Sequence, residues 1–174
     1  MGVLTAGAFA ATPAIAADSL QVGYSIRLLG LSMGTAGLNA TLGPSTYVME
    51  LSAQLAGSAS VVSRAQGGAR SSCSIEQGRV LSRAYATASS NSKETRTVRM
   101  ALNGGSVRSV QVTPPPDPHP DRVPVTDAHK RGVVDPLSAV LMPVAGRDLT
   151  GPGACARTIP IFDGYARFDV TLAY

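Results

Sequence analysis

Val22, Tyr24, Ile26 and Leu28 alternate with Gly23, Ser25 and Arg27, the period-two pattern of a strand with one buried face. Gly30 to Gly34 predict a turn, and a second strand runs through Ala36, Leu38, Ala40 and Leu42 until Gly43-Pro44 stops it. A third strand sets Tyr47, Met49, Leu51 and Ala53 on one face and Val48, Glu50, Ser52 and Gln54 on the other. Short turns between successive strands imply antiparallel neighbours. Leu55, Ala59 and Val62 then take helical spacing, with Gly67-Gly68 placed to end a short helix. Strand pattern resumes over 69–75 and 78–88. Arg96, Val98, Met100 and Leu102 lead into Asn103-Gly104-Gly105, and 107–112 return, which predicts a hairpin because its tight turn demands positive φ.

Six prolines between 113 and 126 exclude a sheet interior there, since proline lacks an N–H and fixes φ. The stretch reads as an extended surface crossing. Asp135-Pro136 opens a helix, with Asp as N-cap and Pro in the first turn, and Leu137, Val140, Leu141 and Val144 form its expected apolar stripe. The chain closes on strands over 157–162 and 165–174 around an Asp163-Gly164 turn. The expected fold is mainly β: a curled antiparallel sheet, open or spiral-barrel-like, with one or two short helices.

The segment before this pattern is different in kind. Residues 2–16 carry no charge, and Ala14-Ile15-Ala16 has the small-x-small form of a signal cleavage site. The expectation is a signal peptide over 1–16, cleaved near Ala16, then a single β-rich domain over 17–174 working in the periplasm. The usual basic start is missing, since the first Arg is Arg27. The stretch is too short, and too rich in Ala and Gly, for a membrane span.

Composition narrows the classes. Hydrophobic residues make up 44% and charged residues 15%, enough for a core. Aromatics are 5% with no Trp, which argues against a stacking platform for single-stranded nucleic acid. Residues 64–108 hold a net charge of +6, which suits either an anionic envelope surface or the solvent face of strands. Cys73 and Cys155 are disulfide candidates in an oxidising compartment. Such a bridge would contribute about 4 kcal/mol through chain entropy, provided the two come within reach.

No constellation spells out a reaction. His119 and His129 stand among Asp117, Asp121 and Asp127, but the prolines keep that stretch extended, so adjacent ligands would point apart. Ser138, His129 and Asp127 make a triad only on paper, with no nucleophile elbow around the serine. No Gly-rich loop leads a strand into a helix, so no nucleotide site is expected. The expectation is no catalytic residue, no metal and no cofactor.

Several segments together are similar to an exported proteobacterial family, domain of unknown function 3108. They are the Val22-Gly23-Tyr24-Ser25 strand with its Leu29-Gly30-Leu31 turn, Tyr47, the Asp135-Pro136-Leu137-Ser138-Ala139 helix start, and Phe162-Asp163-Gly164 with Arg167-Phe168-Asp169. The resemblance implies an envelope protein with a curled, mostly antiparallel sheet, and brings no established reaction. Family members continue for several strands, so the chain is expected to lack C-terminal strands and to leave 165–174 with an open edge. A partner for Cys155 would then lie in the missing part, against a Cys73–Cys155 bridge. The leading functional expectation is a lipid-like or peptide ligand on a concave apolar face made by Tyr24, Ile26, Tyr47, Met49, Leu51, Met100, Leu102 and Phe168. The same residues would equally fill a core. The alternatives are an interaction scaffold for another envelope protein and a hydrolase assembled from residues distant in sequence.

Overall fold

A computed structural model of the chain describes residues 18–57, 64–116, 123–141 and 156–173. The expected signal segment, Cys155 and His119 lie outside these residues. Seven strands follow one another in an antiparallel meander: β1 (Asp18–Leu28), β2 (Leu31–Leu42), β3 (Thr46–Leu55), β4 (Gln66–Glu76), β5 (Arg79–Ser90), β6 (Thr95–Asn103) and β7 (Ser106–Thr113). Helix α1 (Pro136–Leu141) and a separate hairpin, β8 (Arg157–Phe162) and β9 (Arg167–Leu172), complete the described elements. The sheet runs from β1 to β7 without closing into a barrel. Bulges at Ile26/Arg27, Ser72/Cys73 and Ala101/Leu102 add local twist.

Three of the hairpins turn on two residues at positive φ: Leu29-Gly30, Gln77-Gly78 and Gly104-Gly105. That geometry matches the right-handed strand twist. The first turn is therefore shorter than the expected Gly30–Gly34 loop. Gly34 belongs to β2 instead, where a Cβ would lie 2.5 Å from the Gln54 carbonyl oxygen. Its small size serves close strand approach. The helix expected after Leu55 gives way at both ends, since Leu55 closes β3 and Gln66 opens β4, while 58–63 lie outside the described residues.

Strand register carries the sidedness across the sheet. One row joins Leu20, Ala40, Met49, Ser71, Tyr85, Met100 and Val110. The next joins Val22, Leu38, Leu51, Ala69, Thr87, Val98 and Val112. These rows form the core face, over which α1 and β8 are laid. Met49 and Phe162 are wholly buried between sheet and cover.

The crossing segment laces the cover down. Val107 N–H donates to the Lys130 carbonyl, Val133 N–H to that of Gly105, and Phe162 N–H to that of Val134. The β8–β9 turn is held by Asp163, whose carboxylate accepts the N–H groups of Tyr165 at 2.7 Å and Ala166 at 2.8 Å.

Within that turn Gly164 sits at φ +102, and a Cβ there would lie 2.4 Å from Val98 Cγ1 in the core. Gly164→Ala is expected to cost about 2 kcal/mol through backbone strain and overpacking, read as a lowered midpoint in urea unfolding. Gly23→Ala, where a Cβ meets nothing within 4 Å, is expected to stay within about 0.5 kcal/mol of the parent.

Candidate functional site

The apolar rows do not end where the cover ends. Over β3 to β6 they are buried: Tyr47, Met49, Met100 and Leu102 belong to the core cluster, with Leu51 packed against it. These five fill the interior, because α1 and β8 already occupy the face they point to. Toward β1 the same rows emerge into solvent. Leu20 is 47% exposed, Tyr24 50% and Ile26 46%, and Leu28 and Leu31 are more open still. Tyr24 pairs with Ala36 and Ile26 with Gly34, so small residues on β2 leave these large side chains standing above a low floor. The result is an open apolar shelf beside a filled core.

Phe168 lies elsewhere. It sits on β9, partly exposed, beside a hollow of about 400 Å³ shared with Val123, Val125 and His129. The eight expected ligand-facing residues thus separate into two on the shelf, five in the core and one on the second sheet.

The opposite face of the large sheet is polar and low. Glu50, Arg70, Ala86 and Arg99 form one row across it, with Ser52, Gly68, Ala88 and Thr97 in the next. Small residues leave an open hollow of about 420 Å³ there. Arg70 is paired with Glu50, and both are largely exposed, so the pair adds little stability.

Beneath α1 lies a polar knot that the sequence pattern did not reveal. Asp135 is fully buried. Its Oδ1 accepts the N–H groups of Leu137 and Ser138, each at 3.0 Å, as an N-cap does. Its Oδ2 accepts the hydroxyls of Ser71, at 2.9 Å, and of Ser138. Asp135 N–H donates to Ser82 Oγ at 3.1 Å. The Cys73 thiol contacts Ser138 Oγ. Ser71 and Ser82 occupy core-facing strand positions, which the alternation reserves for apolar residues. That mismatch is the signal that points to the knot.

The knot explains a departure in α1. Its buried side is Leu137, Ser138 and Ala139, while Val140, expected in the apolar stripe, is 61% exposed. Docking the buried cap onto Ser71 and Ser82 turns the helix so that Ser138 faces the sheet.

The knot also decides where the paper triad goes. The Ser138 hydroxyl is committed to Asp135. His129 Nδ1 accepts the Thr126 N–H, and exposed Asp127 pairs with half-buried Lys130. These contacts do not join the three residues. Among the described residues no three His, Cys, Asp or Glu side chains converge as metal ligands. Cys73 is a buried free thiol.

Two phenols border the knot. Burial pushes the Tyr47 pKa far above the ordinary value, with Cys73 adding to the rise, and no well-formed hydrogen bond reaches its hydroxyl. Burial, with the nearby Asp135 charge, pushes Tyr85 up to about 12.

An open antiparallel wall with a helix-and-hairpin cover, a capped carboxylate beneath it and a bare apolar end defines a non-barrel β protein with a surface shelf. The sequence profile described as protein of unknown function (DUF3108) matches residues 22–174, and the chain belongs to that family. No curated protein and no solved structure matches it.

Two tests address the knot. Asp135→Ala is expected to cost about 3 kcal/mol, from a lost cap of about 1 kcal/mol and stranded buried hydroxyls worth about 2 kcal/mol, measured by urea unfolding. Alkaline titration tests the phenols. The fold favours their neutral form, so their contribution is complete below the ordinary phenol pKa of about 10. It is lost as pH rises through about 12 for Tyr85. The melting temperature is expected to fall across that window, and Tyr85→Phe to flatten the fall.

Proposed function

We propose that the protein is a non-catalytic, exported binding protein of the bacterial envelope, which holds a lipid-like or peptide ligand on the β1–β2 shelf. The observation that carries this reading is the course of the apolar rows, buried at Met49 and Met100 and half-exposed at Leu20, Tyr24 and Ile26. Contiguous exposed apolar surface on a folded chain marks an interaction site. Covering the exposed half of each of these side chains would contribute about 1 kcal/mol per residue. That scale suits reversible capture rather than permanent sequestration.

The absence of a reaction in this reading rests on the knot. Ser138, the serine of the paper triad, is buried and spends its hydroxyl on Asp135. Export rests on the uncharged segment before Asp18 and its Ala14-Ile15-Ala16 site. Among the described residues no helix is long and apolar enough to cross a membrane.

Native mass spectrometry and organic extraction of the purified protein are expected to show a bound apolar molecule, and a hydrophobic dye is expected to compete for its place. Tyr24→Ser with Ile26→Ser should weaken dye binding about tenfold or more, at a cost in unfolding stability of about 2 kcal/mol from the covered halves of the two side chains, with the circular dichroism spectrum retained. A protein that carries nothing and binds no dye, or a double variant that binds as well as the parent, rules the shelf out. Cell fractionation tests the address, and recovery in the cytosol with residues 1–16 intact contradicts it.

A further inference from the structure

The two edges of the seven-stranded sheet are built differently. An open edge presents unpaired N–H and C=O groups and is a template for another strand, so proteins blunt edges with charges, prolines, bulges or covering loops. The β7 edge has all of these. Arg108 stands exposed within the strand, a bulge sits at Ala101/Leu102, and Pro114-Pro115-Pro116 follows its end. Its first residues are covered as well, since Ser106 bridges to Arg131 and Val107 N–H donates to Lys130.

The β1 edge has almost none. It is eleven residues long, contains no proline, and carries no charge from Ser19 to Ile26. The one bulge in its pairing with β2, near the far end at Ile26/Arg27, places the extra residue, Met33, on β2 rather than on this edge. Among the described residues no strand pairs with its outer side.

We propose that this edge docks β1 of a second copy of the chain, antiparallel, about a two-fold axis at Gly23. Three features of β1 select that occupant. Its charges sit at opposite ends, Asp18 and Arg27, so antiparallel pairing brings the acidic end of one strand alongside the basic end of the other, while parallel pairing sets like against like. Directly opposed residues share a face, and the apolar residues of β1 are the even-numbered ones. Only registers that oppose even with even therefore keep the apolar rows on one side.

Among these, pairing Gly23 with Gly23 opposes Leu20 to Ile26 and Val22 to Tyr24 across the junction. These four apolar side chains then meet apolar partners, and Leu28, at the exposed end of the strand, stands opposite Asp18. A shift that centres on Val22 sets Asp18 against Ile26, within the strand, and a shift that centres on Tyr24 carries Asp18 three residues away from Arg27, whereas the Gly23 register keeps Asp18 diagonal to Arg27 of the other copy. The rows of each core face continue across the axis, and the two shelves become one surface to which both copies contribute. This inference stands on backbone pairing and strand pattern, and it holds whether or not the shelf takes a ligand.

Gly23 gives a test that spares the fold of each copy, because a Cβ there meets nothing within 4 Å and the φ is not positive. Sedimentation or light scattering of the purified protein is expected to give twice the chain mass. Gly23→Glu and Gly23→Lys each set like charges against each other at the axis, and each is expected to give the monomer mass with an unchanged circular dichroism spectrum. Mixing the two variants is expected to restore the dimer, an outcome that simple misfolding would not produce. Should either variant fail to fold, amide exchange of the parent decides, with protection of residues 20–26 expected to rise with protein concentration. A parent that is monomeric up to its solubility limit overturns the proposal. So does a dimer that persists in both variants, a mixture that stays monomeric, or concentration-independent exchange.

Discussion

A carboxylate with neither solvent nor, among the described residues, a cation beside it would be costly to bury, and Asp135 escapes that cost by accepting hydrogen bonds on both oxygens. Two of the donors are backbone groups of the first helical turn and two are hydroxyls. One hydroxyl belongs to β4, 64 residues earlier in the chain. A helix of six residues has little stability of its own, so its place on the sheet depends on this contact and on Leu137. The cover follows. Val133 and Val134, immediately before the cap, bond to the β6–β7 turn and to β8, and β8 brings Phe162 over the core. Loosening the carboxylate would loosen each of these in turn.

The sheet has one apolar face but a cover narrower than that face. The helix and small hairpin span the middle of the wall, while the core rows run on to β1. Rows of the same chemistry thus serve two ends: packing density under the cover, and exposed apolar surface beyond it. Small residues on β2, such as Ala36 and Gly34, stop the outer strands from generating a second packed layer of their own. The polar face opposite stays low, with Gly68, Ala86 and Ala88 between its few charges.

Much of this was legible in the sequence because period-two alternation is a local signal. Tyr47, Met49, Val98, Met100 and Leu102 fall on the face that the pattern assigns, and the closing hairpin and capped helix form where turn chemistry places them. What the sequence hid was non-local. Gly34 resembles a turn residue until the Gln54 carbonyl is set against it. Val140 resembles a core residue until the buried cap dictates which side of α1 meets the sheet. Which end of the apolar face stays bare depends on the width of the cover, and no alternation records a width. The knot left one trace, the serines at 71 and 82 among apolar neighbours, and that trace gains meaning only when Asp135 is placed above them.

The order of the parts along the chain has a temporal consequence. Every strand of the wall precedes residue 114, whereas the groups that cover it come from residues 133–165. During synthesis from the N-terminus, the meander can assemble from short-range hairpins well before its lid is available. Throughout that interval Met49, Val98 and Met100 face water, and the nascent wall is a two-sided sheet with one sticky side. The vulnerable moment in the life of this protein is therefore its emergence as a new chain, and the rate at which the last third arrives sets how long it lasts.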